Sequence, residues 1–589
     1  MIDVLRLIPG FDFGTDVQGV IGIGMRGNWG HEGKIALIVD GQEMNELLFS
    51  TTYFGNRFDV SQIKRIEIIR GPGSSIYGGN AELGVINIVS KSGEDLKGAE
   101  ITGTYGMLND TYGRQNISLA VGDKNGDFKW SVAGFLGQYQ RSNQEYTDIK
   151  GNKISLKDNN TASPKSVNVG LAYKGLSARM ISEDYATTTV IQFDTVPQPK
   201  GKVNFKMNMF ELKYDTKLSD KLTFTPKINY TYQKPWNVTD SLNHYNIAAS
   251  KLTTGYHFNY DPTSKLNIIA GGELFNEEAT NLTTTQKPHF YNGTENINFY
   301  TVSGYVQGLL KSKIAVFTAG MKVIQHNKFG AAIAPRIGIT KSFKKLHGKV
   351  LYNSAFRAPS IENINFNPGI KPELTNVFEV EAGYKINTNN LLTVNVFDIT
   401  INRPVVYIVD PADSLHPQGN YVNFDKSGTQ GIEAEYKMQY SKWGFSLNYS
   451  YYKAKSDINV SQYQVPEDKA ALLGLSNNKI GFVANFNVTD NFSINPSMTY
   501  LSEKYAITGI DTSSNYVITK IEAKSLLNLN LRYKNLFVKG LDVNVGVNDI
   551  LNQRVAYAQP YKGGLAPITG FGTEVIFRIA YTLPFHKAN

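Results

Sequence analysis

The stretch that decides the fold runs from residue 63 to residue 91: IKRIEIIRGPGSSIYGGNAELGVINIVSK. Two segments of alternating apolar and polar residues, each typical of a β-strand, flank a loop rich in glycine and serine. Such a loop can cradle a phosphate, but a Walker-type loop needs Lys and then Ser or Thr after its last glycine. Here Gly78 is followed by Gly79 and Asn80. The stretch therefore predicts a tight turn between two strands.

A second glycine pattern, GIGMRG at residues 22–27, matches the dinucleotide fingerprint G-x-G-x-x-G. The residues that follow it, NWGHEG, have no helical periodicity. Because the βαβ unit that gives this fingerprint its meaning is missing, we exclude a dinucleotide site.

The composition excludes several classes of protein. The chain has 589 residues and no Cys, so a disulfide scaffold and thiolate chemistry are excluded. No run of 18 apolar residues exists, which excludes a helical membrane protein. The net charge is +9, but residues 1–91 carry eight Lys and Arg against ten Asp and Glu. The basic excess therefore lies in the remaining part of the chain. Such an excess is compatible with binding to anionic lipid headgroups, an anionic ligand or nucleic acid, and it is equally compatible with an ordinary basic protein surface.

Alternation of apolar and polar residues recurs throughout the second part of the chain. Side chains alternate between the two faces of a strand, so each such segment has one apolar and one polar face. Representative segments are LTFTPKINYTYQ (222–233), FSLNYSY (445–451), LNLNLRYK (527–534) and EVIFRIAYTLPF (574–585).

The length of this pattern favours one architecture. A chain of β-sandwiches of roughly 100 residues each would show domain boundaries, and none is evident. A single closed barrel needs no boundaries, and closure pairs every backbone polar group that lipid could not satisfy. Shared among 22 strands, the residues after position 91 allow about 23 residues for each strand and its connection, which suits tilted membrane spans of about 9–11 residues. The 34 Tyr and 31 Phe suit aromatic girdles, although they would also suit a sandwich core.

The opening stretch closely resembles the plug-domain motif of TonB-dependent outer-membrane receptors. Other segments match the same family in order: VLRLIPGFDF (4–13), MRGN (25–28) and IALIVDGQEM (35–44) in the plug, then FRAPSIENINFNPGIKPELTNVFEVEAGYK (356–385), GIEAEYK (431–437), VNDILNQR (547–554) and a final strand that ends near Phe585. The resemblance covers nearly the whole chain.

This resemblance implies an all-β transmembrane β-barrel of about 22 antiparallel strands, residues 92–589, with a small α/β plug domain, residues 1–91, inside its lumen. We call these parts the barrel and the plug. It also implies an outer-membrane receptor of a Gram-negative bacterium that imports a scarce ligand when a TonB-type periplasmic protein displaces the plug. We expect no enzymatic activity, no cofactor, no metal site and no nucleic acid, and a monomer in contact with lipid and lipopolysaccharide.

The resemblance also implies particular site residues. Plug arginines of this family pair with barrel carboxylates, so we expect Arg26 and either Arg65 or Arg70 within salt-bridge distance of Glu381 and Glu433. The alternative is that these are ordinary solvated charges. The plug motif itself comprises Gly27, Asp40, Gly41, Glu67, Gly71, Pro72, Tyr77, Gly78 and Asn87.

The expected cargo is a ferric siderophore. Haem is an alternative, because FRAP (356–359) and NPGI (367–370) resemble boxes of haem receptors. The intervening SIENINF lacks the His that would ligate haem iron, and we expect His31 to lie in a solvated loop. Cobalamin and glycans stay open as cargo.

Two departures from the family pattern bear on mechanism. The TonB box, the first plug strands and a signal peptide are not found at Met1. We therefore expect the native chain to begin upstream; otherwise the protein is a passive, porin-like barrel that cannot engage TonB. The residues HKAN also follow Phe585, where the family usually ends on the aromatic residue.

Overall fold

The computed structural model describes residues 1–73, 79–191, 200–239, 244–283, 290–408 and 419–585. Within them, 22 antiparallel strands close into one barrel, in which the last strand pairs with the first. The strand Gly201–Tyr214 continues as Thr216–Ser219, and His244–Tyr245 precedes Ile247–Thr263. The other barrel strands are Gly98–Met107, Tyr112–Asn125, Phe128–Gln140, Thr161–Tyr173, Leu176–Thr189, Leu222–Thr239, Leu266–Asn281, Asn296–Lys311, Val316–His326, Gly330–Ser342, Leu346–Arg357, Glu373–Asn387, Asn390–Asn402, Lys426–Gln439, Trp443–Ala454, Asn478–Asn487, Phe492–Leu501, Lys524–Tyr533, Leu541–Asn548 and Glu574–Pro584. The predicted barrel is confirmed.

The alternation of the sequence sets which face of each strand points outward. In the strand Asn296–Lys311, Tyr300 and Val302 are 55% and 52% exposed on the outside, whereas Thr301 and Ser303 are buried on the lumen side. A soluble barrel would place its apolar residues inside; this barrel places them outside, as a lipid environment requires.

The connections differ between the two ends of the barrel. One end has tight turns such as residues 126–127, 174–175 and 264–265. The other end has long loops, several of which contain a two-stranded ribbon: Glu145–Thr147 with Lys153–Ser155, Val405–Ile408 with Asn420–Asn423, Lys504–Ile510 with Tyr516–Ile521, and Ala556–Tyr557 with Ile568–Thr569. Short periplasmic turns and long outer loops are typical of bacterial outer-membrane barrels.

Helices are few and short in the described chain. They are the α-helices Ile2–Arg6, Gly93–Leu96 and Ile361–Phe366 and the 3₁₀ turns Val17–Gly19 and Val60–Gln62. Across the described ranges, no helix is long and apolar enough to cross a membrane.

The plug contains two small sheets. One has the strand order Phe11–Thr15, Ile21–Met25, Asn28–Trp29. The other has the order Gln42–Glu43, Ile35–Val39, Gly84–Ser90, Ile63–Arg70, with the central pair parallel. The core of the plug is continuous with apolar side chains of the barrel wall, including Val377 and Ile399.

The opening stretch forms the two strands that the sequence predicts. Ile63–Arg70 and Gly84–Ser90 pair antiparallel, with Arg70 opposite Gly84. The loop between them therefore joins neighbouring strands. Its residues 74–78, which include the predicted motif residues Tyr77 and Gly78, lie outside the described residues.

Candidate functional site: ionic contacts between plug and barrel

Arg26 lies at the tip of a tight hairpin in the plug. Met25 pairs with Asn28, so Arg26 and Gly27 form a two-residue turn, and both have positive φ, 51° and 80°. Positive φ at both central positions is the requirement of a type I′ hairpin turn. A Cβ on Gly27 would lie 2.2 Å from Cε2 of Tyr452. The turn therefore presses directly on the barrel wall and places the Arg26 side chain there.

The Arg26 guanidinium binds two carboxylates of the wall. Its Nε and Nη2 donate to Glu433 at 3.0 and 2.9 Å, and its Nη1 donates to Glu379 at 2.6 Å. Its Cζ also lies 4.4 Å from the centre of the Phe397 ring. Arg26 is 1% exposed. Burial alone would lower the pKa of Arg26, but the Glu433 and Glu379 charges outweigh it, and the pKa is raised.

Arg70, rather than Arg65, joins this cluster. Arg70 Nη1 lies 2.8 Å from Glu433 Oε2. Arg65 instead pairs with Glu67 at 2.6 Å, and these side chains are 52% and 46% exposed. Glu67 also accepts a hydrogen bond from Asn87 Nδ2 at 2.8 Å. Arg65, Glu67 and Asn87 therefore form an exposed polar group within the plug.

The expectation that Glu381 takes part in the contact is wrong. Glu381 lies 3.3 Å from Lys349 and 3.6 Å from His347, both on the neighbouring barrel strand. Glu379, two residues earlier on the same face, is the carboxylate that reaches Arg26. Both glutamates face the lumen because a strand repeats every two residues; their depth in the barrel decides which one meets the plug turn.

Asp40 and Gly41 form a second hairpin turn against the wall, with φ of 50° and 88°. The Asp40 carboxylate accepts hydrogen bonds from Ser90 N and Oγ at 2.9 and 2.6 Å, which ties two plug strands together. It also pairs with Arg179 of the barrel at 2.8 Å. Asp40 therefore forms part of a plug turn and also contacts the barrel.

Gly71 and Pro72 follow the strand Ile63–Arg70 and touch the same wall. Gly71 has a φ of 106°, and a Cβ there would lie 2.9 Å from Glu379 Oε1. The Pro72 carbonyl accepts a hydrogen bond from Asn353 Nδ2 at 3.4 Å. Glycine at position 71 therefore allows the backbone to approach the carboxylate that binds Arg26.

A second ionic cluster, missed in the sequence analysis, lies near the long-loop end. Lys34 of the plug and Arg357 of the barrel each lie 2.9 Å from Glu373, and Arg357 also lies 3.3 Å from Glu32. Arg357 and Glu373 end and begin consecutive strands and are direct register partners. Both occur in the mid-barrel segment quoted above, so the strand pairing could have identified the barrel half of this cluster.

Two plug carboxyls near this cluster have raised pKa values. Burial raises the pKa of Glu32 to about 7, against the opposing effect of Arg357. Burial and the Glu373 charge raise the pKa of Glu82, which accepts a hydrogen bond from Thr375 Oγ1. Charged carboxylates taken out of water are costly unless fully paired, and these two are paired only in part.

A third contact joins the plug to another part of the wall. Arg57 Nε lies 2.7 Å from Glu183 Oε1, and the Arg57 guanidinium stacks 3.8 Å from the Tyr53 ring centre. The Tyr53 hydroxyl donates to the same carboxylate at 3.2 Å. Because these partners lie far apart in the sequence, no local pattern predicts that they pair.

The expectation of a solvated His31 is wrong. His31 is fully buried in the plug, with Nε2 3.0 Å from Asp16 Oδ2. Tyr561, from the loop after the penultimate barrel strand, also donates to Asp16. Among the described residues, no group of three or more His, Cys, Asp or Glu side chains is placed to hold a metal ion.

These contacts add ion pairs at separate points on the wall to the apolar packing between plug and barrel. An apolar interface of the same extent would lose its stabilisation whenever it opened to water. Charged pairs, in contrast, are rehydrated when they separate, and this offsets much of the lost attraction. The arrangement is suited to a domain that is held in place and can be displaced.

Comparisons with known proteins agree with this architecture. A family model described as "TonB-dependent Receptor Plug Domain" matches residues 1–85, and one described as "TonB dependent receptor-like, beta-barrel" matches residues 182–550. The vitamin B12 transporter BtuB of Vibrio vulnificus is 27% identical over 145 residues, which is 23% of this chain. That match spans only 22% of the length of that curated relative.

Solved structures share the fold over almost the whole chain. The siderophore receptor PirA from Acinetobacter baumannii superposes with a TM-score of 0.79 at 14% identity, covering 99% of this chain and 96% of that one. The ferric enterobactin receptor PfeA from Pseudomonas aeruginosa gives 0.78 at 13% identity, with 99% and 95% covered. The FrpB iron transporter from Neisseria meningitidis gives 0.75 at 14% identity, with 99% and 96% covered.

Proposed function

Because the chain belongs to the TonB-dependent receptors, we propose that it imports a ferric siderophore across the outer membrane of a Gram-negative bacterium. Proteins of this family are receptors and transporters, not enzymes. The observation that carries the proposal is the Arg26 cluster. It attaches the folded plug to the inner wall of the barrel through buried ion pairs. These pairs can separate without the breaking of a covalent bond.

The proposed mechanism uses the plug as a gate. The ligand binds at the long-loop end, and a TonB-type protein pulls on the plug from the short-turn end. The contacts of Arg26, Arg70, Lys34 and Arg57 with the wall then open, and the plug shifts out of the path. We further propose a monomer embedded in lipid and lipopolysaccharide, with the plug ending at residue 91, between the strands Gly84–Ser90 and Gly98–Met107.

The siderophore cargo is supported by the descriptions of the structural neighbours, two of which are receptors for siderophores. The net charge of +9 also suits an anionic iron chelate. Haem has less support, because SIENINF (360–366) contains no His and His31 is buried against Asp16. No observation favours a glycan.

Cobalamin is the second candidate cargo. It is supported by the local sequence identity with the vitamin B12 transporter of Vibrio vulnificus, which is higher than the identity with the siderophore receptors but covers a much shorter part of the chain.

The test is uptake by a strain that lacks its own receptors and expresses this protein. Radiolabelled ferric enterobactin and cyanocobalamin are offered separately, with and without an uncoupler of the proton gradient. We expect accumulation of the iron chelate that the uncoupler abolishes. Energised accumulation of cyanocobalamin instead would support the second candidate. Entry that persists with the uncoupler would indicate a passive, porin-like barrel and would overturn the proposal.

A further inference from the structure

Three consecutive turns at the short-turn end of the barrel carry a large excess of lysine. The segments KSKIA (311–315), KSFKKL (341–346) and KINTN (385–389) connect six neighbouring strands, from Asn296–Lys311 to Asn390–Asn402. They contain six Lys and neither Asp nor Glu. The two preceding turns at this end, residues 215–221 and 261–265, carry three Lys against three Asp. We call the three lysine-rich segments the basic rim.

The lysines of the basic rim lie close together without an opposite charge. Lys341 Nζ donates to the Lys313 carbonyl at 2.8 Å, and Lys345 Nζ donates to the Ile386 carbonyl at 3.2 Å, so the three segments contact one another. Across the described ranges, none of the six lysines has a carboxylate within ion-pair distance. Hydrogen bonds to carbonyls leave the positive charges in place. Because like charges gathered in this way repel one another, an external anion would stabilise the rim.

Exposed apolar side chains lie among these lysines. Ile314, Phe343 and Leu346 are 76%, 64% and 54% exposed. Apolar groups on a turn gain nothing from contact with water, but they are stabilised when they enter the boundary between lipid headgroups and acyl chains. Cations beside such apolar groups are typical of protein surfaces that lie in the membrane interface. The basic rim therefore has the composition of an interfacial surface.

The basic rim also continues the lipid-facing surface of the barrel. Ile337 and Ile339 are 56% and 42% exposed on the outer face, and Lys341 follows them on the same face of the strand Gly330–Ser342. The Lys341 ammonium reaches the carbonyl of Lys313, in the neighbouring turn at the end of the barrel. Long cationic side chains at a membrane boundary keep their stems in lipid and their charges at the headgroups in this way. The rim therefore lies at the depth of lipid phosphates.

We propose that the basic rim binds the phosphate groups of anionic phospholipids in the periplasmic leaflet of the membrane. Short turns face the periplasm in bacterial outer-membrane barrels, and clustered lysines next to a bilayer attract anionic lipids. An acidic protein fits this surface less well, because the rim adjoins the outer face that lipid covers. The inference uses the membrane placement in the proposed function and is independent of the cargo.

The absence of Cys from the chain permits a site-specific fluorescence test. Ser342→Cys places a bimane label in the basic rim, and Ser264→Cys places the same label in a turn where Asp261 balances Lys265; both serines are exposed. In vesicles, quenching by brominated phosphatidylglycerol is compared with quenching by brominated phosphatidylcholine. One lysine near an anionic surface strengthens attraction roughly fivefold. We expect at least about a fivefold preference for phosphatidylglycerol at Ser342→Cys; equal preferences at the two positions would overturn the proposal.

Two charge-matched variants in the Ser342→Cys background test the lysines themselves. The rim variant replaces one exposed lysine of each segment: Lys313→Gln, Lys344→Gln and Lys385→Gln. The control variant removes the same charge from the two balanced turns: Lys217→Gln, Lys221→Gln and Lys265→Gln. We expect the preference to fall below about twofold in the rim variant and to persist in the control. A preference that survives in an assembled rim variant would overturn the proposal.

Salt provides a measurement that needs no lysine substitution. At 1 M NaCl the screening length falls to about 3 Å, so the preference at Ser342→Cys should disappear. A preference that persists in salt would overturn binding through charge. The outcome is separable from that of the proposed function: failure of energised uptake with the lipid preference intact would overturn only the transport proposal, and loss of the preference in a protein that still imports would overturn only the basic rim.

Discussion

Replacement of Arg26 by Met is the sharpest test of how the plug is held. The substitution keeps an unbranched apolar stem of similar reach and removes the guanidinium that Glu433 and Glu379 share. Arg70 remains beside Glu433, and the nearest cation to Glu379 is Lys349, at 3.9 Å. The variant therefore leaves two buried carboxylates with much less compensation than they have in the native protein.

The expected magnitude follows from burial. Removing one partner of a buried ion pair typically costs about 3–5 kcal/mol, because the remaining charge stays desolvated. We expect a loss of this size in the free energy that keeps the plug docked. Arg65→Met removes the same charge from an exposed pair with Glu67 and should cost less than about 1 kcal/mol. Arg70→Met should lie between them, since Arg70 is partly exposed and Glu433 keeps Arg26.

Amide hydrogen exchange of the plug, followed by mass spectrometry on the protein in membranes, measures this loss. Because about 1.4 kcal/mol corresponds to a factor of ten, exchange in peptides that cover Ile21–Met25 should accelerate by about a hundredfold or more in Arg26→Met. Arg65→Met is the charge-matched control. The double variant Arg26→Met with Glu433→Gln should recover part of the loss, because it also removes one unpaired charge.

Equal plug exchange rates in Arg26→Met and Arg65→Met, with the barrel still assembled, would refute the role of the buried ion pairs in docking. In that case the plug would be retained by its apolar contacts with the wall, and the buried ion pairs would contribute no net docking energy.

Two further predictions concern the same interface. The pKa of Glu32 in the folded protein is raised from 4.5 to about 7, so protonation of Glu32 favours the docked plug. This contribution to the docking free energy is complete below pH 4.5 and is lost as the pH rises through about 7. Plug exchange, corrected for its intrinsic pH dependence, should therefore accelerate between pH 5 and pH 8, and Glu32→Gln should flatten that slope; an unchanged slope would contradict the assignment. Gly27→Ala should destabilise plug docking by about 1–3 kcal/mol, because its Cβ would lie 2.2 Å from the Tyr452 ring at a φ of 80°. Gly304→Ala, with its nearest neighbour at 3.9 Å and an ordinary φ, is the control, and equal protease sensitivity of the plug in both variants would count against the close contact.

Part of the candidate site could be found from the sequence. Arg26, Arg70 and Glu433 lie in short segments that each resemble a motif of the family. The structure brings these three residues together. Arg65 and Arg70 are five residues apart on one strand, so they point to opposite faces. Only the position of that strand in the lumen shows that Arg70 faces the wall and Arg65 faces solvent.

Other contacts depend on how the strands are staggered around the barrel. Glu379 and Glu381 share a face, and no local pattern tells which of them lies at the height of the Arg26 turn. The pair Arg57 and Glu183 joins residues far apart in the chain, each in an unremarkable local context. His31 shows the reverse case: a polar residue in a glycine-rich loop that becomes fully buried because the loop is enclosed by the barrel.

The sequence by itself determined the strands, the faces they present and the class of architecture, because side-chain alternation is a property of each strand alone. The turns at Arg26–Gly27 and Asp40–Gly41, where backbone angles favour glycine, were not predicted from the sequence. Only the tertiary structure decided which charges meet and which remain in water. These depend on the tilt and stagger of the closed barrel around the plug, which relate residues hundreds of positions apart.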